Sequence, residues 1–206
     1  MAALHALFAA YGKRKHPLDY RNRYQLLVMV VLSAQTTDER INALAPAFFR
    51  RFPSMKKLAA ATVEDVVPLI ASVRGCIKKA TWLTTIARTV GTDDAIPTTL
   101  EDLITLPGIG RKSANVIIRE SGGTAEGIIV DLHVDRVVPR IGITDSDKPD
   151  AIERALMDLI PRRDWNKAGM SLSYLGREIC RPTDPNCGLC PLRLVCSYAT
   201  RRNSDS

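Results

Sequence analysis

The sequence predicts an all-α protein built from two helical domains. Apolar residues recur at helical spacing along almost all of the 206 residues, and the longest strand-like run covers only residues 127–130. Prolines fall where the predicted helices should begin or end, at Pro53, Pro97, Pro107, Pro149 and Pro161. These observations together favour helices packed on helices over any sheet-based fold.

The first predicted helix covers residues 2–10, where Leu4 and Phe8 lie one helical step apart and should dock on the rest of the protein. The basic residues 13–15 follow this apolar stretch, whereas a secretory signal carries them in front, so we expect no export. The longest apolar run, residues 26–34, is far shorter than the ~20 residues that span a bilayer. It predicts a buried helix.

Capping residues mark two further helices. Thr62 precedes an apolar segment and has Asp65 three positions later, which predicts an N-cap followed by an acidic first turn. Thr98 and Glu101 have the spacing of a capping box in front of the next apolar segment. We therefore expect helices to begin after Thr62 and after Thr98.

Composition limits the class of partner. The chain is 46% hydrophobic, which is enough to bury a core and too apolar for a disordered protein. Its formal net charge of +7 and its pI near 9.3 favour an acidic partner, such as nucleic acid or an anionic membrane surface. On charge alone, a protein that is simply basic fits equally well.

A glycine-rich turn separates two helical patterns at Leu106-Pro107-Gly108-Ile109-Gly110. Proline should end the first helix, and the glycines permit a tight turn. The second helix should then start near residue 111, so its free N–H groups and the positive end of its dipole could hold a phosphate. By itself the pattern fits an ordinary turn between helices at least as well.

Helical spacing in the next segment divides its residues between two faces. Ala114, Ile117 and Ile118 share one face and should be core. The opposite face, which should line whatever the hairpin binds, carries Lys112, Asn115, Val116 and Arg119. An isolated surface lysine is usually a solvated charge, but a lysine one turn from a phosphate site is a candidate for chemistry.

Four of the five cysteines are clustered near the C-terminus with the spacing C-x6-C-x2-C-x5-C, at Cys180, Cys187, Cys190 and Cys196. An odd cysteine count without a secretory signal argues against a disulfide scaffold and for a metal site. Four thiolates suit either tetrahedral zinc or an iron–sulfur cluster, and both remain open on chemistry alone. Cys76 stands apart and is interpreted as a small buried hydrophobe.

Three segments, in the same order, resemble the endonuclease III family of DNA glycosylases. LPGIGRKSANVI, at residues 106–117, resembles the family's helix–hairpin–helix motif, in which the lysine at the position of Lys112 is the nucleophile. VDLHV, at residues 130–134, resembles the segment whose aspartate is catalytic, and that role falls on Asp131. LSAQTTD, at residues 32–38, resembles the motif whose glutamine, here Gln35, fills the gap left by a flipped nucleotide.

The resemblance extends from about residue 20 to residue 197 and includes the cysteine spacing. In this family that spacing holds a four-iron–four-sulfur cluster, so the resemblance implies a 4Fe-4S cofactor on the four clustered cysteines, with a structural role in a C-terminal loop. It also implies DNA contacts from the hairpin and from the regions near residues 35 and 74–77. The residues expected to make them are Gln35, Arg74, Gly108, Ile109, Gly110 and Arg111.

The resemblance implies a bifunctional DNA glycosylase and AP lyase of base excision repair, which removes oxidised pyrimidines and nicks the abasic site by β-elimination. Lys112 carries this prediction, because relatives that excise adenine or mismatched thymine generally lack that lysine. A monofunctional mismatch glycosylase and a non-enzymatic, zinc-containing DNA-binding protein are the alternatives. The chain departs from the family at Gly75, where relatives often have a leucine that wedges into the DNA base stack. Val73, Cys76 and Ile77 are the candidates to replace that leucine here.

Two domains are expected from the order of the motifs. Residues 18–125 should form a helical bundle that carries Gln35 and Lys112, and residues 1–17 plus 126–206 should form a domain that carries Asp131 and the cluster. We expect the two catalytic residues to face each other across the seam. The expected partner is double-stranded DNA with damaged bases or abasic sites, bound by a monomer in a bacterial-type cytoplasm, with no membrane involved.

Overall fold

The computed structural model describes residues 2–204, with side chains through Arg201. Its internal contacts divide the chain into two units. We call His16–Gly123 the bundle unit, and Met1–Lys15 together with Thr124–Ser206 the cysteine unit. The predicted division into a helical bundle domain of residues 18–125 and a cluster domain of residues 1–17 plus 126–206 stays a prediction.

The fold class is confirmed as all-α. Residues 2–204 contain no strand, and none of their helices is long and apolar enough to cross a membrane. Within this range the α-helices are α1 (Ala2–Tyr11), α2 (Arg23–Ser33), α3 (Asp38–Arg51), α4 (Met55–Ala59), α5 (Val63–Val66), α6 (Cys76–Val90), α7 (Leu100–Ile104), α8 (Arg111–Glu120), α9 (Leu132–Ile141), α10 (Pro149–Leu159), α11 (Trp165–Glu178) and α12 (Ser197–Ser204).

The core of the bundle unit is built around α2. Every side chain from Leu26 to Leu32 is buried, as the apolar run predicts. Each large apolar side chain buried in this way contributes about 1.5–3 kcal/mol relative to exposure. Asn22 begins the helix as its N-cap and accepts a hydrogen bond from the Gln25 amide. Because α2 packs on α3, α6 and α8, it fixes the positions from which those helices reach the surface.

The capping predictions are right at one helix and wrong by one residue at another. Thr62 and Asp65 form a reciprocal capping box at α5. The N-cap of α7 is Thr99, whose hydroxyl accepts from the Asp102 amide, and not Thr98. The sequence TTLED offers two threonines, each followed three positions later by an acid, so spacing alone could not choose between them.

The cysteine unit is organised by α9 and α11, with α1 packed on α11 as the apolar spacing predicts. Leu7 of α1 is buried, and the ring of Tyr11 stacks on Tyr174 with centroids 6.4 Å apart. Gly176 lets α9 and α11 approach closely, since a β-carbon there would lie 2.8 Å from Cβ of His133. This close packing brings α11 side chains to the start of α9.

Candidate active site

The hairpin joins α7 to α8 in the bundle unit. α8 begins at Arg111 with Gly110 as its N-cap residue. Gly108 has φ +80°, a left-handed conformation that glycine adopts without a steric penalty. Because Gly110 has no side chain to cap the helix, the first N–H groups of α8 can be offered to an anion, where the helix dipole favours negative charge. The predicted helix–hairpin–helix is therefore present, with the geometry of a phosphate site.

The ring of Trp82, on α6, packs against the backbone of the hairpin. A β-carbon on Gly108 would lie 2.4 Å from Cε3 of the Trp82 ring, so the backbone of the turn rests directly on the indole. Nζ of Lys78 lies 4.9 Å from the centre of the same ring, in a cation–π contact. Nothing in the sequence indicated this role for Trp82, because the contact joins α6 to a turn 26 positions away along the chain.

Gly108→Ala should weaken DNA binding and lower the free energy of unfolding. The methyl group would meet the Trp82 ring, and alanine at a positive φ adds strain of about 1–3 kcal/mol. Gly122→Ala is the matched control, since Gly122 has φ +77° with nothing within 4 Å of the added carbon. Fluorescence anisotropy on an undamaged duplex should show weaker binding for Gly108→Ala alone. Equal binding by the two variants would mean that the turn does not contact DNA.

The predicted hairpin contacts differ in what they can offer. Lys112 and Arg111 are exposed in the first turn of α8, and Arg74 is exposed on another turn of the same unit. The side chain of Ile109 is only 4% exposed, and its amide donates to the carbonyl of Leu106 at 3.2 Å, so neither group is offered to DNA. The turn can therefore offer the main-chain N–H groups of its two glycines, and the exposed side chains of Arg111 and Lys112 behind it are cationic.

The expected division of α8 into two faces is partly wrong. Ala114, Ile117 and Ile118 are buried as predicted. Asn115 and Val116, predicted to line the binding surface, are also buried, at 4% and 1% exposure. The reason is that α8 packs against both α2 and α7, so the core covers more than one face of it. Of the predicted surface residues, Lys112 is the one at the hairpin end of the helix.

Gln35 lies in the turn that follows α2 and has an unusual backbone conformation. Its φ is +58°, in the left-handed region that few non-glycine residues adopt, and its side chain is exposed. Such a conformation costs about 1–3 kcal/mol and persists only where the surroundings impose it. Observed strain at an exposed glutamine agrees with a functional role for this position.

The turn before α6 distinguishes among the three substitutes for the missing leucine wedge. Gly75 itself has φ +71° and carries no side chain. Val73 is buried, at 3% exposure, and Cys76 is half-buried. Ile77 is 66% exposed in the first turn of α6. It is therefore the large apolar side chain of this turn that faces solvent.

Asp131 is the N-cap of α9 in the cysteine unit. Its Oδ1 accepts hydrogen bonds from the amides of His133 and Val134, both at 2.9 Å. Its Oδ2 accepts a third, from the hydroxyl of Ser173 at 2.6 Å. The carboxylate is half-buried and is fixed by donors on both oxygens. Asp131 therefore caps α9 through one oxygen, and its second oxygen is held in a defined direction by Ser173.

Ser173 is a site residue that the sequence did not reveal. It lies on α11, fully buried, and its hydroxyl is directed to Asp131 on α9. Nε of Arg177 lies 3.5 Å from the same hydroxyl. A serine in the middle of an apolar helix signals a buried hydrogen bond, but its partner is set by the packing of α9 on α11 and is not visible in sequence.

Two arginines of α9 hold the loop that starts at Cys180. Nε of Arg136 donates to the Cys180 carbonyl at 3.1 Å. The guanidinium of Arg140 donates to the carbonyls of Arg181 at 2.7 Å and Pro182 at 3.0 Å, and its Nη1 lies 3.6 Å from Sγ of Cys180. The loop is therefore fastened to α9 by charge-assisted hydrogen bonds, which are stronger than neutral ones.

The four clustered thiols share one environment. Burial raises the pKa of the Cys190 thiol, and the nearby thiols of Cys196, Cys180 and Cys187 raise it further, so all lie within electrostatic range of Cys190. No disulfide joins them. Within residues 2–204, no three His, Cys, Asp or Glu side chains are gathered so that they could hold a metal ion.

Comparison with known proteins identifies the family. Residues 28–162 match the HhH-GPD superfamily base excision DNA repair protein family. An endonuclease III from Synechocystis sp. is 40% identical over 184 residues, which are 88% of this chain and 84% of that protein. This chain belongs to the endonuclease III family. The endonuclease III of Bacillus subtilis is 32% identical over 189 residues, 90% of this chain and 86% of its own length.

A solved structure gives the same answer from the fold. The trapped endonuclease III–DNA covalent intermediate, in its estranged-adenine complex, is similar with a TM-score of 0.88 and 29% identity, covering 98% of this chain and 95% of that one. The predicted family and the predicted enzyme class are thereby confirmed. The protein is a DNA glycosylase and AP lyase of base excision repair, and DNA is its substrate.

Proposed function

We propose that this endonuclease III homologue removes oxidised pyrimidines from duplex DNA and then nicks the abasic strand by β-elimination, with Lys112 as the nucleophile. The observation that carries the proposal is the exposed amine of Lys112 in the first turn of α8, directly behind the glycine hairpin. A lysine beside a phosphate-binding turn can form a Schiff base with the sugar of the nucleotide that the turn holds.

DNA is engaged through the backbone of the hairpin and through two exposed side chains. The N–H groups of Gly108 and Gly110 and those at the start of α8 suit the phosphates on one side of the lesion, whereas the Ile109 amide already donates to the Leu106 carbonyl. A base within a duplex is unreachable for chemistry, so the target nucleotide must leave the stack. Ile77 is the wedge that opens the stack in this proposal, and Gln35 fills the space that the nucleotide leaves.

The reaction has two stages, base release and then strand cleavage. The lone pair of the Lys112 amine attacks C1′, and the bond from C1′ to the base breaks with its electron pair leaving on the base, which takes up a proton. Asp131 balances the positive charge that develops on the sugar. The attached nitrogen loses its proton as the sugar ring opens at O4′, which gives a Schiff base. Water takes up a C2′ proton, and the C3′–O bond breaks with its electron pair leaving on the 3′ phosphate, which nicks the strand. Water then hydrolyses the Schiff base and frees Lys112.

The test is a panel of duplexes, each with one oxidised pyrimidine, one mismatched thymine or one abasic site. Base release and strand cleavage are scored separately, and borohydride is added to reduce any Schiff base to a stable adduct. We expect base release from oxidised pyrimidines, cleavage at the same site, and an adduct of protein with DNA. Base release from the mismatch with no adduct would instead assign a monofunctional mismatch glycosylase.

We also propose that Cys180, Cys187, Cys190 and Cys196 hold a 4Fe-4S cluster. The donor set supports it, since the thiols of Cys180, Cys187 and Cys196 lie near enough to Cys190 to raise its pKa, and the loop around them is fastened to α9 by two arginines. Binding the cluster would draw these thiols closer together, because no three of the described side chains are gathered to hold a metal ion as they stand. The cluster would close the loop and stabilise the cysteine unit, as metal binding does in small metal-dependent folds. Purified protein should be brown and contain iron. Colourless protein carrying zinc would overturn this assignment.

We propose, finally, that the enzyme acts as a monomer on the DNA of a bacterial-type cytoplasm. The motifs for lysine chemistry, phosphate binding and cluster ligation all lie within one chain, so no second copy is needed to complete them. Light scattering at the concentrations used for activity should give the mass of one chain. A dimer that retains activity only when intact would contradict the proposal.

A further inference from the structure

Lys79 is a buried cation in the bundle unit. It lies in the first turn of α6, and only 4% of its surface is exposed. Its Nζ donates hydrogen bonds to the carbonyl oxygen of Leu32 at 2.7 Å and to that of Ala34 at 2.5 Å. Burial lowers the pKa of Lys79 from its ordinary value, which reflects the cost of keeping an ammonium group away from water.

Both acceptors belong to the C-terminal end of α2, which ends at Ser33. The last carbonyls of a helix lack partners within the helix and carry the negative end of its dipole, so an ammonium group is stabilised there. A buried charge still costs more than an apolar side chain of similar length would. The free-energy cost of burying this charge is offset where the charge holds a backbone segment in a conformation that function requires.

That backbone is the turn that carries Gln35. The carbonyl of Ala34 lies in the same rigid peptide plane as the amide of Gln35, so holding the oxygen fixes the direction in which the chain enters Gln35. The Thr36 amide donates to the Ser33 carbonyl at 3.0 Å and closes the turn from its other side. Gln35 is thereby kept at φ +58°, with its side chain in solvent.

The same lysine ties this turn to the turn that carries Ile77. Lys79 and Ile77 lie two positions apart in α6, and Nη1 of Arg40, near the start of α3, donates to the carbonyl of Ser72 at 3.3 Å. The segments that carry the two exposed side chains are thus joined through the buried Lys79 and through an exposed hydrogen bond from Arg40 to Ser72. A shift in one segment would move the other.

We propose that Lys79 is a positioning residue for entry into the DNA stack: its ammonium holds the turn after α2 so that Gln35 is presented beside Ile77 in the orientation that fills the vacated space. This inference rests on the proposed function, in which Gln35 occupies the gap left by the target nucleotide. It assigns Lys79 no contact with DNA.

The experiment compares one abasic site in a duplex with the same site in a single strand, where there is no stack to open. Lys79→Met removes the charge at similar length, Lys79→Arg keeps the donors, and Lys56→Met is an exposed control from α4. Single-turnover cleavage of the duplex by Lys79→Met should fall by about 10- to 100-fold, as expected when a positioning contact is lost. Cleavage of the single strand should change by less than about twofold. Lys79→Arg, which keeps charge-assisted donors, should recover part of the duplex rate.

A double variant tests whether Lys79 acts through Gln35. If it does, Gln35→Ala with Lys79→Met should be no worse than the more damaging single variant, because effects on one shared element are not additive. Should Lys79→Met fail to fold, Lys79→Gln, which keeps a shorter donor, replaces it in every comparison. Equal losses on both substrates, or effects that multiply, would overturn the proposal. Failure of the proposed function itself would look different, since the wild-type protein would then give no borohydride adduct with either substrate.

Discussion

A Lys112→Gln variant should form no borohydride adduct with DNA and should lose strand cleavage by about 10³-fold or more, the scale on which rates fall when a covalent nucleophile is removed. Glutamine has similar length and polarity, but the lone pair of its amide nitrogen is delocalised and cannot attack C1′. The Lys112 side chain is exposed, so the free energy of unfolding should change by less than about 0.5 kcal/mol. Denaturing gels measure the adduct, and thermal melting checks the fold.

Lys57→Gln is the matched control for this variant. Lys57 is also an exposed lysine in the bundle unit, on the short helix α4. It should trap DNA as the wild-type protein does. Affinity for an undamaged duplex should be nearly unchanged in both variants, because the hairpin backbone stays in place. An adduct that survives Lys112→Gln would assign the nucleophile to another amine.

The parts of the site that the sequence could predict are those that adjacent residues determine. Proline and glycine set the hairpin by their own backbone preferences, and the helix start behind it places Lys112. The cap at Thr62 follows from the same kind of local rule. Such features depend on only a few consecutive residues, so they can be predicted without knowledge of the tertiary structure.

The parts that were missed depend on packing. Helical spacing placed Asn115 and Val116 on the surface because it assumes one buried face, whereas α8 is covered by two neighbours. Ser173 and Lys79 find their partners 42 and 47 positions away along the chain, so no local pattern could name Asp131 or Leu32. Both stand at helical spacing from buried apolar residues, Ser173 three positions after Met170 and Lys79 four positions before Leu83, and that placement is the signal that could have marked them.

The wedge illustrates a third case, in which the sequence left several residues open and burial decides. Val73, Cys76 and Ile77 are all apolar enough to enter a base stack. Gly75 begins α6 in a left-handed conformation, and the turn that results buries Val73 while it exposes Ile77. The resemblance to relatives places the wedge at Gly75, which has no side chain. The exposure of Ile77 in the structure is the reason that we assign the wedge to Ile77.

Asp131→Asn should lower the rate of base release by about 10²–10³-fold, the usual loss when a preorganised electrostatic partner of the transition state is removed. The fold should survive, because asparagine caps a helix about as well as aspartate. The amides of His133 and Val134 need only one acceptor oxygen, and Oδ1 remains. Ser173 can turn its hydroxyl to accept from the new amide. Only the negative charge is lost.

Two companion variants separate the charge of Asp131 from its structural role. Asp131→Ala removes the cap as well and should lower the free energy of unfolding by about 1 kcal/mol. Ser173→Ala keeps the charge but frees Oδ2, so base release should fall by about tenfold or less, in line with one hydrogen bond. If Asp131→Asn released bases at the wild-type rate while Asp131→Ala did not, the carboxylate would be a helix cap and nothing more. If instead all three variants melt within a few degrees of the wild type and base release falls from Ser173→Ala to Asp131→Asn, the carboxylate acts on the sugar through its charge, and the hydroxyl acts by aiming it.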